Sequence, residues 1–456
     1  VLAADPDNAL AHDILGSVYL AQGDYDRGMA ELDRAIAKAP GLVDAQLKKG
    51  VVNLALGKPD LAETPLAEAV RIAPELLNSR LLLAVSYLRR QNFGQAVATL
   101  KEGLQGRPED AILHNHLAAA YLGQGRTDAA LAELEKAKQR KPEYMAPYEN
   151  LANYYLRKGQ PARAMAEYQA LLKVAPDNQR ALLSLASLQE LQGDKAGAEN
   201  SLIRSVAGGG KESYLASALF YRRNDQPKKV LATLQKGLEI HPGQPALLEL
   251  QGQFLLGQGQ VAEALSAYRS LAEALPDRGF PLLVATLVGQ GKRQEADGIA
   301  RRQISLNETE PRGYLLLAAI SRLQQEYSQG VEVLEGGLKK VSNELPLQMA
   351  RADLFQAWGK PERALEILGV LHERHPANVP VIFNLASLHD RQGNKRQALA
   401  LYRACLESDD GYLPALNNLA YLYADNYRDL EEALELAVRA FHQRPADPGI
   451  MDTLGF

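Results

Sequence analysis

Few side chains in this sequence are spaced for chemistry. His114 and His116 stand two residues apart, and on a helix that spacing points them to different faces, so they do not share a metal. No cysteine or acidic cluster at ligand spacing accompanies them. Gly208-Gly209-Gly210-Lys211 invites reading as a phosphate-binding loop, but Ser205 takes the place of the first required glycine. Glu212 follows the lysine where serine or threonine is needed, and no strand precedes the run. The lone Cys405 reads as a packed thiol, and charged pairs such as Glu133 with Lys136 read as solvated helix faces. No nucleophile with its base, nucleotide fingerprint or pair of buried carboxylates is present. The sequence therefore argues against an enzyme and calls for no cofactor and no metal. What remains is hydrogen bonding: an asparagine amide offers both donor and acceptor, so a row of asparagines can pair with an extended peptide backbone.

The elements that would carry such a row are set by a repeat. Pro6, Pro40, Pro74, Pro108, Pro142 and Pro176 are each 34 residues apart. Proline lacks the amide hydrogen that a helix interior needs, so it acts as a helix stop at a fixed interval. Between stops, a small residue recurs at the eighth position (Gly16, Gly50, Ala84, Ala118, Ala152, Ala186) and at the twentieth (Gly28, Ala62, Ala96, Ala130, Ala164, Ala198). Small residues at those places let two helices approach to about 8–10 Å. A larger side chain there would overpack the contact, at about 1–3 kcal/mol. Of the 19 tyrosines most fall at positions 4, 11, 17 or 24 of the repeat, which makes them core. Each turn between paired helices is expected to carry a glycine, as in Gln22-Gly23-Asp24, Gln124-Gly125-Arg126 and Lys158-Gly159-Gln160.

This period and spacing resemble the tetratricopeptide repeat (TPR), a helix–turn–helix unit. The expected fold is all-α, a right-handed superhelical solenoid of about thirteen repeats and 26 helices. Residues 1–7 read as the end of a truncated repeat, 8–207 as an N-terminal array of six repeats and 208–213 as a glycine-rich joint. Residues 214–447 read as repeats seven to thirteen and 448–456 as the start of another truncated repeat, so the sequence is read as part of something longer. Repeat nine fits worst, with Val284 where a small residue is expected and Ala300 where a large one is. Repeat thirteen carries one extra residue around Asp425 to Asp429.

In TPR proteins the concave wall is built from first-helix residues. Carried onto this chain, that implies Asn115, His116, Asn150, Asn153 and Arg157 in repeats four and five. Repeat seven supplies Arg222 and Arg223, and repeats twelve and thirteen supply Asn384, Asn417, Asn418 and Tyr421. The implied partner is a protein or extended peptide lying in that groove. The lysine-and-asparagine clamp with which chaperone-binding TPR domains hold a terminal carboxylate is absent from every adjacent pair of repeats.

The formal net charge of −4, with no long run of one sign, argues against a nucleic-acid surface. No apolar stretch reaches the length of about 20 residues that spans a bilayer. The run Leu416-Asn417-Asn418-Leu419-Ala420-Tyr421-Leu422-Tyr423, followed by Ala433-Leu434-Glu435-Leu436-Ala437, Pro445-Ala446-Asp447-Pro448 and Asp452-Thr453-Leu454-Gly455, resembles long bacterial TPR proteins. Among these are exported TPR lipoproteins of exopolysaccharide and PEP-CTERM/exosortase systems. That resemblance implies a periplasmic or outer-membrane-associated scaffold, lipid-anchored through a segment upstream, that organises polysaccharide export or surface-protein sorting. A cytoplasmic assembly factor and the substrate-presenting arm of a larger enzyme such as a glycosyltransferase are the alternatives.

Overall fold

The computed structural model describes residues 1–427 and 429–443. Among them are 26 α-helices and no strand, as the repeat count predicts. Pro445, expected to close the thirteenth repeat, and residues 448–456, expected to open a further one, lie outside the described residues. The chain divides into two compact bodies, Val1–Gly237 and Leu238–Phe456. Within each, helices pack on the next helix in sequence, and several first helices also touch the first helix of the following repeat. Such nearest-neighbour packing is how a repeat array grows without a single central core.

One turn geometry recurs in every repeat from the first to the twelfth. The residue two beyond the end of the first helix adopts a left-handed conformation, and the next amide donates to the carbonyl five residues back, as in Asp24 to Tyr19 at 2.9 Å and Lys360 to Phe355 at 2.8 Å. This is the six-to-one bond of a Schellman cap. Glycine fills the left-handed position in nine of these turns, for example Gly23 with φ of 80° and Gly359 with 73°. The expectation of a glycine in each turn fails at three places: Gln91 (58°), Asp225 (51°) and Gln325 (60°). The same six-to-one bond is kept there (Asn92 to Tyr87, Gln226 to Tyr221, Glu326 to Ser321), with a conformation that costs a side-chain-bearing residue about 1–2 kcal/mol. Side-chain caps start several of the helices, with Asn8, Asp24, Asn178, Asp194 and Asn378 each accepting from an amide three residues on.

The small-residue rule holds in three dimensions. Ala62, Ala84, Ala96, Ala130, Ala152, Ala164, Ala198, Ala264, Ala296 and Ala398 are fully buried. Where the eighth residue is glycine, the opposed side chain fills the space a methyl would need, namely Leu66 against Gly50 and Tyr268 against Gly252. Cys405 is fully buried, and burial pushes its thiol up to about 11, the inert packed state.

Irregularities are absorbed locally. In repeat three the second helix, Phe93–Glu102, ends well before Pro108, so that proline is not its stop. The loop that follows is held instead by Asp110, whose carboxylate accepts from the amides of Gln105, Gly106 and Arg107. In repeat nine Val284 and Ala300 are both buried in the same apolar cluster. The extra residue of repeat thirteen is accommodated as a π-helical turn, Tyr423–Tyr427, the usual way a helix takes up an insertion. Gly208 closes helix Lys195–Ala207, Gly209 is left-handed at 74°, and Gly210 opens helix Lys211–Arg223. The side chain of Gln179 fills the space beside Gly208 and Gly210.

Candidate functional site

In four repeats the first helix is held by a clasp at the fourth position. There a buried polar side chain reaches the carbonyl six residues back, in the preceding inter-repeat turn. His12 Nε2 lies 2.9 Å from the Pro6 carbonyl oxygen, Tyr148 Oη donates to Pro142 at 2.9 Å and Tyr314 Oη to Glu308 at 3.1 Å. Arg80 Nη2 makes the same contact with Pro74 at 3.3 Å. Three of the side chains at this position bridge to the second helix of their own repeat: His12 Nδ1 to Glu31 and His114 Nδ1 to Glu133, both at 2.5 Å, and Arg80 Nη1 to Glu102 at 3.3 Å. The hydrogen bond to Glu31 and the Pro6 carbonyl raise the His12 pKa above 6.5, against an opposing desolvation. Glu133 is therefore not a member of a solvated pair, contrary to expectation. It is buried under His114 and Lys136, and their hydrogen bonds overcome the cost of burial to lower its pKa.

In the N-terminal body the residues expected on the concave wall split into engaged and free groups. Asn150 Nδ2 donates to Asn115 Oδ1 at 2.8 Å, so one group of each amide is engaged by the neighbouring repeat. His116 is half-buried, and burial lowers its pKa, leaving a neutral ring at pH 7. Asn153, Arg157 and Arg222 are exposed. Arg223 is held by Glu190 through two hydrogen bonds, at 3.0 and 2.6 Å. Comparable cross-links join other first helices, Lys48 to Asp13 at 2.7 Å and Arg180 to Glu149 at 2.9 Å.

In the C-terminal body Asn418 donates to Tyr402 Oη at 3.1 Å, and Tyr402 packs against Phe383. Asn384 is half-buried, Tyr421 is exposed, and Asn417 Oδ1 is buried without a hydrogen-bond partner. The sequence reading missed a more pointed arrangement next to them. Helices Arg312–Leu323, Leu345–Ala357 and Val379–Arg391 border an open groove of about 540 Å³, lined in part by Ala318, Ala319, Ala350 and Ala357. Arg322, Asp353 and Arg391 line it. None of the three makes a hydrogen bond or a close ion pair among the described residues. Asp353 keeps contact with solvent, yet the crowding around it raises its carboxyl pKa, and the charges of Arg322 and Arg391 only partly offset that. These residues stand at repeat positions 12, 9 and 13, so the register that gave the asparagines also contains them.

Among the described residues no group of three or more His, Cys, Asp or Glu side chains could hold a metal, and no helix is long and apolar enough to cross a membrane. Two models described as tetratricopeptide repeat match the chain, one at residues 1–43, 15–76, 81–144 and 150–212, the other at 379–412. Together they cover just over half of it. The chain belongs to the tetratricopeptide-repeat family. Residues 213–378 fall outside those matches, yet they keep the helix pairs and capped turns of a TPR. No curated protein matches the chain. Solved structures similar to it include the APC/C hetero-tetramer Cut9–Hcn1, with 11% identity, 100% of this chain and 97% of that chain covered, and a TM-score of 0.32. A thermophilic TPR protein of Thermus thermophilus has 25% identity over 40% of this chain and 98% of its own, with a TM-score of 0.31. PilF of Pseudomonas aeruginosa has 22% identity over 46% of this chain and 97% of its own, with a TM-score of 0.32.

Proposed function

We propose that this TPR chain is a non-catalytic scaffold that holds protein partners along the wall of its first helices, and that the groove of repeats ten to twelve receives an acidic stretch of a partner. The observation that carries this reading is the pair Arg322 and Arg391, which line one groove and make no hydrogen bond or close ion pair among the described residues. Guanidinium groups present a planar fork that fits carboxylates, and these two are exposed and unpaired among the described residues, so a partner displaces only water from them. The alanines along it admit a main chain close to the helices. The exposed amides and cations of repeats four, five and seven (Asn153, Arg157, Arg222) supply polar contacts along the N-terminal body.

The test is affinity capture from the source organism with the wild-type chain and with Arg322→Glu plus Arg391→Glu. The expected outcome is a protein retained by the first and lost from the second, with unchanged helical circular dichroism. Equal recovery by both would overturn the role of this groove.

The finer reading rests on the resemblance of the last quarter to exported TPR lipoproteins: a periplasmic or outer-membrane-associated organiser of exopolysaccharide export or surface-protein sorting. A cytoplasmic assembly factor and a glycosyltransferase arm remain the competing readings. The full-length gene decides among them: a lipobox or signal sequence upstream favours the exported scaffold, and a catalytic domain downstream favours the enzyme arm.

A further inference from the structure

Helix Leu345–Ala357 has a second polar face. Ala350, Asp353 and Ala357 look into the groove described above, and Gln348, Arg351 and Phe355 lie on the opposite side by helical periodicity. Those three line a separate open pocket of about 620 Å³, flanked by helices Tyr327–Leu338 and Pro361–Arg374. This is the size range of pockets that take small molecules and short peptides.

Its polar groups are poorly matched within the protein. Gln348 Oε1 and Arg351 Nε are buried and lack hydrogen-bond partners, an acceptor and a donor one helical turn apart. Arg351 approaches Glu335 only at 3.9 Å and Arg374 approaches Glu344 only at 3.8 Å, both beyond hydrogen-bonding distance. Arg363 reaches Glu366 at 3.2 Å. Lys360 has no carboxylate within ion-pair distance among the described residues, and its ammonium sits 3.2 Å from the centre of the Trp358 ring. The lining therefore holds four cations against three carboxylates. Phe355, stacked on Trp358 at 6.2 Å and 8° between planes, supplies an apolar wall.

We infer that this outer pocket is a binding site for a short acidic peptide segment, distinct from the first-helix wall. A side-chain adjustment at Gln348 and Arg351 would let them take an amide N–H and an amide C=O from one peptide unit. A ligand carboxylate would meet Lys360, and an apolar side chain would lie on Phe355. A ligand with only one of these features would leave desolvated groups unmatched, which is the basis of selectivity here.

Trp358 is the only tryptophan of the chain, so its emission reports on the site directly. The experiment titrates the full chain with the blocked peptide acetyl-Leu-Asp-Glu-Leu-amide and, in parallel, with its neutral counterpart acetyl-Leu-Asn-Gln-Leu-amide. A saturable change of emission is expected with the acidic peptide, at least tenfold weaker with the neutral one. Inorganic phosphate at the same concentration should leave the emission unchanged, which separates a peptide from a bare anion. Arg351→Met should weaken the acidic peptide at least tenfold at constant helical content. Arg322→Ala, on the opposite face, should change it less than twofold, so failure here and failure of the first-helix wall are told apart. Equal response to both peptides, no saturable response, displacement of the peptide by phosphate, or an unaltered Arg351→Met curve would each overturn the inference.

Discussion

The first-helix walls of repeats four and five and of repeats ten to twelve have the same backbone and opposite electrostatic economies. In the former, Asn115 and Asn150 pair with each other, and nearby charges are engaged in cross-links such as Arg180 with Glu149. In the latter, Arg322, Asp353 and Arg391 line one groove without direct contact. The difference teaches that a polar residue on the wall is not by itself a binding residue. What matters is whether its hydrogen bonds are already made, because a group that exchanges one protein partner for another gains little.

The largest expected effect follows from that contrast. Arg322→Glu plus Arg391→Glu should weaken an acidic partner at least tenfold, about 1.4 kcal/mol or more. The counterpart on the other wall, Asn150→Ala plus Asn153→Ala, should lower affinity less, by roughly the net worth of a hydrogen bond, about 0.5–1.5 kcal/mol, with an unchanged melting temperature. Titration calorimetry of both pairs against the captured partner measures the gap, and a reversed order would dissolve the comparison.

Packing within the two bodies gives a second contrast. Gly252→Ala places a methyl on the rigid, buried ring of Tyr268, and should cost about 1–3 kcal/mol in urea unfolding. Gly50→Ala meets the more adaptable Leu66 and should cost less. The turns, by contrast, should behave alike in both bodies. Gln91→Gly and Gln325→Gly each relieve a left-handed side-chain-bearing residue, a gain of about 0.5–1 kcal/mol after the entropy of glycine is counted.

The smallest effect is on pH. The His12 pKa is raised in the folded chain, so its contribution is fully present below the unfolded value of 6.5 and is lost as pH rises through the folded value. Hydrogen exchange of helix Ala9–Ala21 should therefore accelerate above pH 6.5 beyond the intrinsic base-catalysed trend, and His12→Gln should remove that excess. Helix Arg312–Leu323, clasped by Tyr314, should follow the intrinsic trend alone.

Much of the fold was legible because its determinants repeat as letters: glycine or alanine at two fixed positions, proline at one, and tyrosine on the core face. The clasp at the fourth position was not, because His12, Arg80, Tyr148 and Tyr314 perform one task with three chemistries, and only the shared carbonyl acceptor reveals it. The left-handed turns at Gln91, Asp225 and Gln325 were hidden because their residue types give little local sign of that conformation. The groove of Arg322, Asp353 and Arg391 was half legible. Its residues sit in the wall register, but they come from three repeats, and a search for rows of one amide type passes over a site built from unlike charges.

The most direct test of the central claim is photocrosslinking of the full chain to its captured partner from a photoreactive residue placed at Ala319, in the groove, with one at Ala119 on the wall of repeat four as comparison. The account predicts a stronger crosslink from position 319 than from position 119, and its loss when Arg322→Glu and Arg391→Glu are introduced. Equal yields from the two positions, or a crosslink at 319 that survives the charge reversals, would contradict it.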